Sequence, residues 1–134
     1  QKMIPSFIDT IKEQKCEEVL SFLQEHVIKR IGCKDKSVHG MVFYFLTRVK
    51  NLDLLIAHLE ELEAKKDRKE AVYLDLEYAF NLCKQSISSL KQNFYQQKAG
   101  DSRTWEWKFY VAMIVIYGIL GLYEKAVDLS LQTQ

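Results

Sequence analysis

The chain has 134 residues, 48% of them hydrophobic, with five glycines and one proline, which excludes collagenous, Pro-rich and disordered content and allows one domain with a real core. Nineteen Lys and Arg stand against eighteen Asp and Glu, a net charge of +1 that offers no large single-sign field to draw in nucleic acid. Cys16, Cys33 and Cys83 are odd in number and include no C-x-x-C pair, so neither a disulfide framework nor a zinc knuckle is signalled and a reducing cytosol fits best.

Gln1 stands where an initiator Met would, and no basic-then-apolar leader follows, so the expectation is a processed chain or one that begins inside a larger protein. Pro5 and Ser6 open a first candidate helix with Phe7, Ile8 and Ile11 on one side, ending near Gln14. From Glu17, the residues Val19, Leu20, Leu23, Val27, Ile28 and Ile31 form a helical stripe, and Gly32 suits its C-terminus. Asp35 or Ser37 can cap a third helix whose face is Val38, Met41, Val42, Phe45, Leu46 and Val49. After a break at Lys50 and Asn51, Leu52, Leu55, Ile56, Leu59 and Leu62 mark a fourth, with Glu60, Glu61 and Glu63 on its solvated side. Lys65, Lys66, Arg68 and Lys69 then read as a solvated loop complementing the negative end of that helix.

A fifth and long helix follows Val72, Leu76, Ala79, Phe80, Cys83, Ile87, Leu90 and Phe94, with a bend or boundary near Gln85 where Ser86, Ser88 and Ser89 weaken helix propensity. Lys98 to Arg103 is a loop, and Ser102 or Thr104 caps a last long helix over Trp105 to Leu120. Its apolar run from Phe109 to Leu122 is fourteen residues, short of the roughly 18 to 20 that span a bilayer, so it is read as a core helix packing closely at Gly118 and Gly121. From Gly121 to Gln132 a further helix begins, in which Leu122, Ala126 and Leu129 can bury while Glu124, Lys125 and Asp128 face water. That stripe is still running at Gln134, the pattern expected of a piece of a longer array. No alternating strand-length segment appears, so the fold class is all-α: antiparallel helical hairpins stacked as an α-solenoid of about seven helices, one unit over 1–134.

The chemical inventory is thin. His26, Cys33 and His39 lie within fourteen residues but spread over a helix, a connection and a second helix, which matches no zinc pattern. His58 is followed by Leu59 and, four positions on, by Leu62, so no H-E-x-x-H arrangement exists. Glu17-Glu18 and Glu60-Glu61 are adjacent and splay apart on a helix rather than converging as an acid/base pair. The glycines Gly32, Gly40, Gly100, Gly118 and Gly121 form no phosphate-cradling cluster. No catalytic, cofactor-binding or metal residue is therefore assigned and no cofactor is expected. Trp105 and Trp107, two apart on one helix, point to different sides, so at most one is naturally buried and the pair is the candidate partner contact.

Two stretches go further than periodicity: Tyr73-Leu74-Asp75-Leu76-Glu77-Tyr78-Ala79-Phe80-Asn81-Leu82-Cys83, and Gly121-Leu122-Tyr123-Glu124-Lys125-Ala126-Val127-Asp128-Leu129-Ser130-Leu131-Gln132. Together they resemble the clathrin heavy-chain repeat region of the vacuolar protein sorting protein 18 family, and His39 to Glu63 resembles the preceding hairpin in the right order. The resemblance implies a scaffolding segment of a subunit shared by the endolysosomal tethering complexes HOPS and CORVET, which act in vesicle tethering, SNARE-mediated fusion and vacuolar or lysosomal protein transport. It implies no enzyme activity, other tethering subunits as partners, no nucleic acid or small-molecule substrate, and a cytoplasmic protein held peripherally on late endosomes, lysosomes or the vacuole through its complex. Neither the β-propeller nor the RING-type zinc domain of such proteins is present, so zinc binding does not carry over. Residues 85–108 exceed the expected spacing between the matching stretches and read as an insertion or an extended helix plus loop. The alternative reading is a generic helical-repeat adaptor outside membrane traffic.

Overall fold

The computed structural model describes residues 13–49, 52–89 and 102–133, and among them finds helices and no strands. The first candidate helix, the break at Lys50 and Asn51, and the segment from Leu90 to Asp101 lie outside the described residues. The described residues form six α-helices: α1 (Glu13–Phe22), α2 (Lys36–Arg48), α3 (Asp53–Asp67), α4 (Leu76–Ser89), α5 (Ser102–Ile119) and α6 (Tyr123–Gln132), with a π-helical segment (Leu23–Ile31) continuing α1.

The expected boundary between Gln14 and Glu17 is absent: the backbone is helical from Glu13 to Ile31. This stretch holds no Gly or Pro to break it, and the exposed pairs Lys15–Glu18 (3.3 Å) and Glu25–Lys29 (3.2 Å) support it from outside. Its stripe buries Leu20 and packs Val19, Leu23 and Ile28 against the core. Ile31 does not follow them and stands 74% exposed. The wider π turns advance each residue by less than an α turn does, so a stripe in α phase drifts off the covered side. Gly32 then takes the left-handed conformation (φ 74°) and its amide donates to Val27 O.

Asp35 is the cap of α2, accepting from the Ser37 amide at 2.8 Å. α2 is buried around much more than the one face its periodicity marks, because α1, the π segment, α3 and α4 all pack on it. Val42, Phe43, Phe45 and Leu46 are almost wholly enclosed. In α3, Leu55, Leu59 and Leu62 turn inward as their spacing requires. The helix outlasts its stripe and takes in Lys65 and Lys66, which corrects the reading of those two residues as loop. Lys66 Nζ donates to Ile119 O, the last carbonyl of α5, so this cation meets the negative end of a neighbouring helix. The turn after α3 closes with the Lys69 amide on Lys66 O (2.9 Å) and the Glu70 amide on Lys65 O (2.8 Å), which puts Lys69 at φ 62°.

α4 starts later than its apolar pattern, because Asp75 Oδ1 accepts from the amides of Glu77 and Tyr78 (both 3.1 Å) and leaves Val72 in the connection. It runs through Ser86 without a break: that buried hydroxyl donates to Leu82 O at 2.8 Å and so satisfies itself within the helix. α5 is already helical at Ser102. Phe109, Ala112, Met113, Ile116 and Ile119 face inward, and α5 packs on α3, α4 and α6. Phe80 of α4 meets Tyr117 of α5 with ring centroids 4.6 Å apart, and Lys108 of α5 pairs with Asp53 of α3 at 2.9 Å. Among the described residues no helix is long and apolar enough to cross a membrane.

The two glycines expected at a close approach part company. A Cβ on Gly118 would come within 3.3 Å of Glu63 Oε2 on α3, so this position does bring α5 close to its neighbour. Gly121 has open space around it and serves the turn: at φ 77° it lets its own amide reach Gly118 O (3.1 Å) and the Leu122 amide reach Tyr117 O (2.9 Å).

Candidate docking surfaces

His26, Cys33 and His39 do not converge. His39, expected on a helix flank, is buried, and its Nε2–H donates to the backbone carbonyl of Cys33 at 2.7 Å. The ring therefore fastens the loop before α2 to the first turn of α2, and the Cys33 thiol takes no part. His26 lies on the exposed side of the π segment, 5.2 Å from the Phe22 ring. Among the described residues no group of His, Cys, Asp and Glu is placed to hold a metal ion. Cys83 is buried on the α4 stripe as expected, and burial pushes its thiol pKa up to about 12, so it behaves as a small apolar side chain.

Sequence reasoning passed over His58 except as a failed metal motif. It follows Ala57 on the flank of the Leu55–Leu59 stripe, a position that could have marked it as partly covered. Its Nε2 is buried with no hydrogen-bond partner among the described residues. Burial lowers its pKa to about 4; Glu61 opposes the shift, while His39 and Lys65 add to it. The neutral ring lines a cleft of about 480 Å³ with Gln24, Lys29, His39, Glu61 and Lys65.

Two other surfaces are shaped for contact. Trp107 is 58% exposed on α5 and, with Glu106, Tyr110, Gln132 and Thr133, lines a groove of about 370 Å³ between the start of α5 and the end of α6. The side chain of Trp105 lies outside the described residues. On α6, Ala126 and Leu129 are half-buried, as their spacing predicts, whereas Leu122 remains exposed because it sits in the turn before the helix. The same helix carries a second apolar line that the sequence reading did not separate from the first: Tyr123, Val127 and Leu131, 69%, 57% and 61% exposed.

An all-helical chain with one shared core, outward aromatic and aliphatic surfaces and no convergent reactive groups among its described residues has the character of a repeat scaffold. Residues 1–93 match the model of the VPS18 alpha-solenoid domain, second half. The chain belongs to the VPS18 family. The matched part covers every described helix through α4, including Tyr73 to Cys83 and the His39 to Glu63 hairpin; Gly121 to Gln132 lies beyond it. No solved structure matches the chain.

Proposed function

We propose that this chain is a non-enzymatic scaffolding segment of a subunit of the endolysosomal tethering complexes HOPS and CORVET, holding other subunits at fixed geometry for vesicle tethering and SNARE-mediated fusion. The family match over residues 1–93 carries the reading. The single core that ties α1 through α5 together supports it, because a rigid body transmits position where a hinged one does not. On this reading the protein is cytoplasmic and reaches late endosomal, lysosomal or vacuolar membranes through its complex. Trp107, with its groove against the end of α6, is a subunit contact: an exposed indole beside a concavity is the kind of side chain that anchors interfaces. Residues 85–108 are an insertion or an extended helix plus loop: 85–89 lie in α4 and 102–108 in α5, and the family match reaches residue 93, so the part beyond it is the stretch that an insertion would account for.

Co-precipitation of the full-length protein with endolysosomal tethering subunits tests the assignment. Recovery of those subunits is expected, with a weaker yield from Trp107→Ala, and their absence from the wild-type precipitate contradicts it.

A further inference from the structure

Among the described residues, Nε2 of His58 is buried without a hydrogen-bond partner, a state that is uncommon in folded proteins and destabilises whatever arrangement encloses the atom. The ring stands on α3 in the cleft of about 480 Å³, whose opposite wall is the π segment with Gln24, Ile28 and Lys29 and whose floor is His39 of α2. The groups of variable charge that face it are Glu61 and Lys65 of α3, Lys29 of the π segment and the His39 ring. Glu61 is therefore the one carboxylate lining the cleft among the described residues, set against two lysines.

The two walls are not equally fixed. α3 is pinned by Leu55, Leu59 and Leu62 and packs on both α2 and α5. The π segment contains no buried residue and only leans Leu23 and Ile28 on the core. Its winding is a rare one that recurs at functional sites. It joins α2 through residues 32–35, which belong to no helix, and the first of these is Gly32, at φ 74° with open space around it.

We propose that the π segment is a proton-released wall: while His58 is neutral it closes on α3, and protonation of His58 swings it away about Gly32, leaving α3, α4 and α5 packed. A charged imidazole donates from both nitrogens, and the closed cleft gives Nε2 nothing to donate to, whereas water reaches that atom once the π segment moves. The open ring titrates near its ordinary 6.5 and the enclosed ring near 4, so the open form takes the proton first and gains population as pH falls from 6.5 toward 4. Above that range α1 through α5 act as one body; below it the first wall comes away from the rest.

The test is hydrogen exchange of the full-length protein at pH 7 and pH 4.5, read by mass spectrometry and corrected for the intrinsic pH dependence of exchange. Amides of Leu23–Ile31 and of residues 32–35 are expected to lose protection by more than about tenfold at pH 4.5, while those of residues 55–62 and 109–119 keep it. His58→Leu removes this pH dependence and leaves Leu23–Ile31 protected at both values; His58→Gln, polar but never charged, does the same and serves where the leucine variant does not fold. An equal loss at residues 109–119 would mean that the proton unfolds the whole chain. No loss at Leu23–Ile31 would mean that this wall does not enclose the ring, and a loss that persists in the His58 variants that other groups cause it. Each of these three results overturns the proposal.

Discussion

Helices α2 and α6 both carry apolar stripes, yet seven of the thirteen residues of α2 are buried and none of the ten in α6 is. The difference comes from neighbours rather than from pattern. α2 is packed by α1, the π segment, α3 and α4, so even residues off its stripe are enclosed; α6 packs on α5 and shows its other sides to solvent. Periodicity states which residues can share a face, and the number of elements that converge on a helix decides how many of its faces are covered.

The sharpest way to break this comparison is to empty one site of each kind. Phe43 is fully enclosed, so Phe43→Ala is expected to cost about 3–5 kcal/mol of stability, measured by urea unfolding. Val127→Ala, on the open side of α6, is expected to stay within about 0.5 kcal/mol. Comparable losses at the two positions would show that α6 is held as tightly as α2.

A proton probes the covered region next. His58 titrates near 4 in the folded chain against 6.5 when unfolded, so between those pH values the unfolded chain binds the extra proton. Stability therefore rises with pH through this window and is lost as pH falls from 6.5 to 4. The His58 contribution amounts to about 3 kcal/mol, and His58→Leu is expected to flatten the difference between unfolding curves taken at pH 7 and pH 4.5. An unchanged slope in that variant would mean that the imidazole is not enclosed.

Smaller effects compare how the helices begin and end. Asp75→Ala removes the acceptor for two amides of the first turn of α4 and is expected to cost about 1 kcal/mol. The turns after α3 and α5 share one hydrogen-bonding pattern but place Lys69 and Gly121 respectively at positive φ. Lys69→Gly is expected to raise stability and Gly121→Ala to lower it, each by about 1 kcal/mol, read as opposite shifts in Tm. Shifts of the same sign would show that the two turns are not equivalent.

Much of the interior was legible in the sequence because it depends on spacing: Val42, Phe45 and Leu46 of α2 and Leu55, Leu59 and Leu62 of α3 recur at helical steps, whereas His39, Gly40, Phe43 and Thr47 are enclosed by the packing of further helices on α2. Helix boundaries were less so. They depend on side-chain acceptors such as Asp75, on the π widening that carries Ile31 out of phase, and on the persistence of a helix through a serine that satisfies itself, as Ser86 does. The roles of His39 and His58 depend on contacts between separate elements, which local spacing does not contain. For the surfaces, Trp107 was marked by its residue type, whereas the outer line of α6 was overlooked because Leu122, Ala126 and Leu129 already supplied that helix with one plausible stripe.

The account holds that a rigid helical interior positions outward surfaces for other subunits, and the most direct measurement is the amount of tethering subunit co-purified per folded molecule of full-length protein, wild type against Trp107→Ala. The account predicts recovery by the wild type and a clear loss in the variant with Tm unchanged; no recovery by the wild type would contradict it.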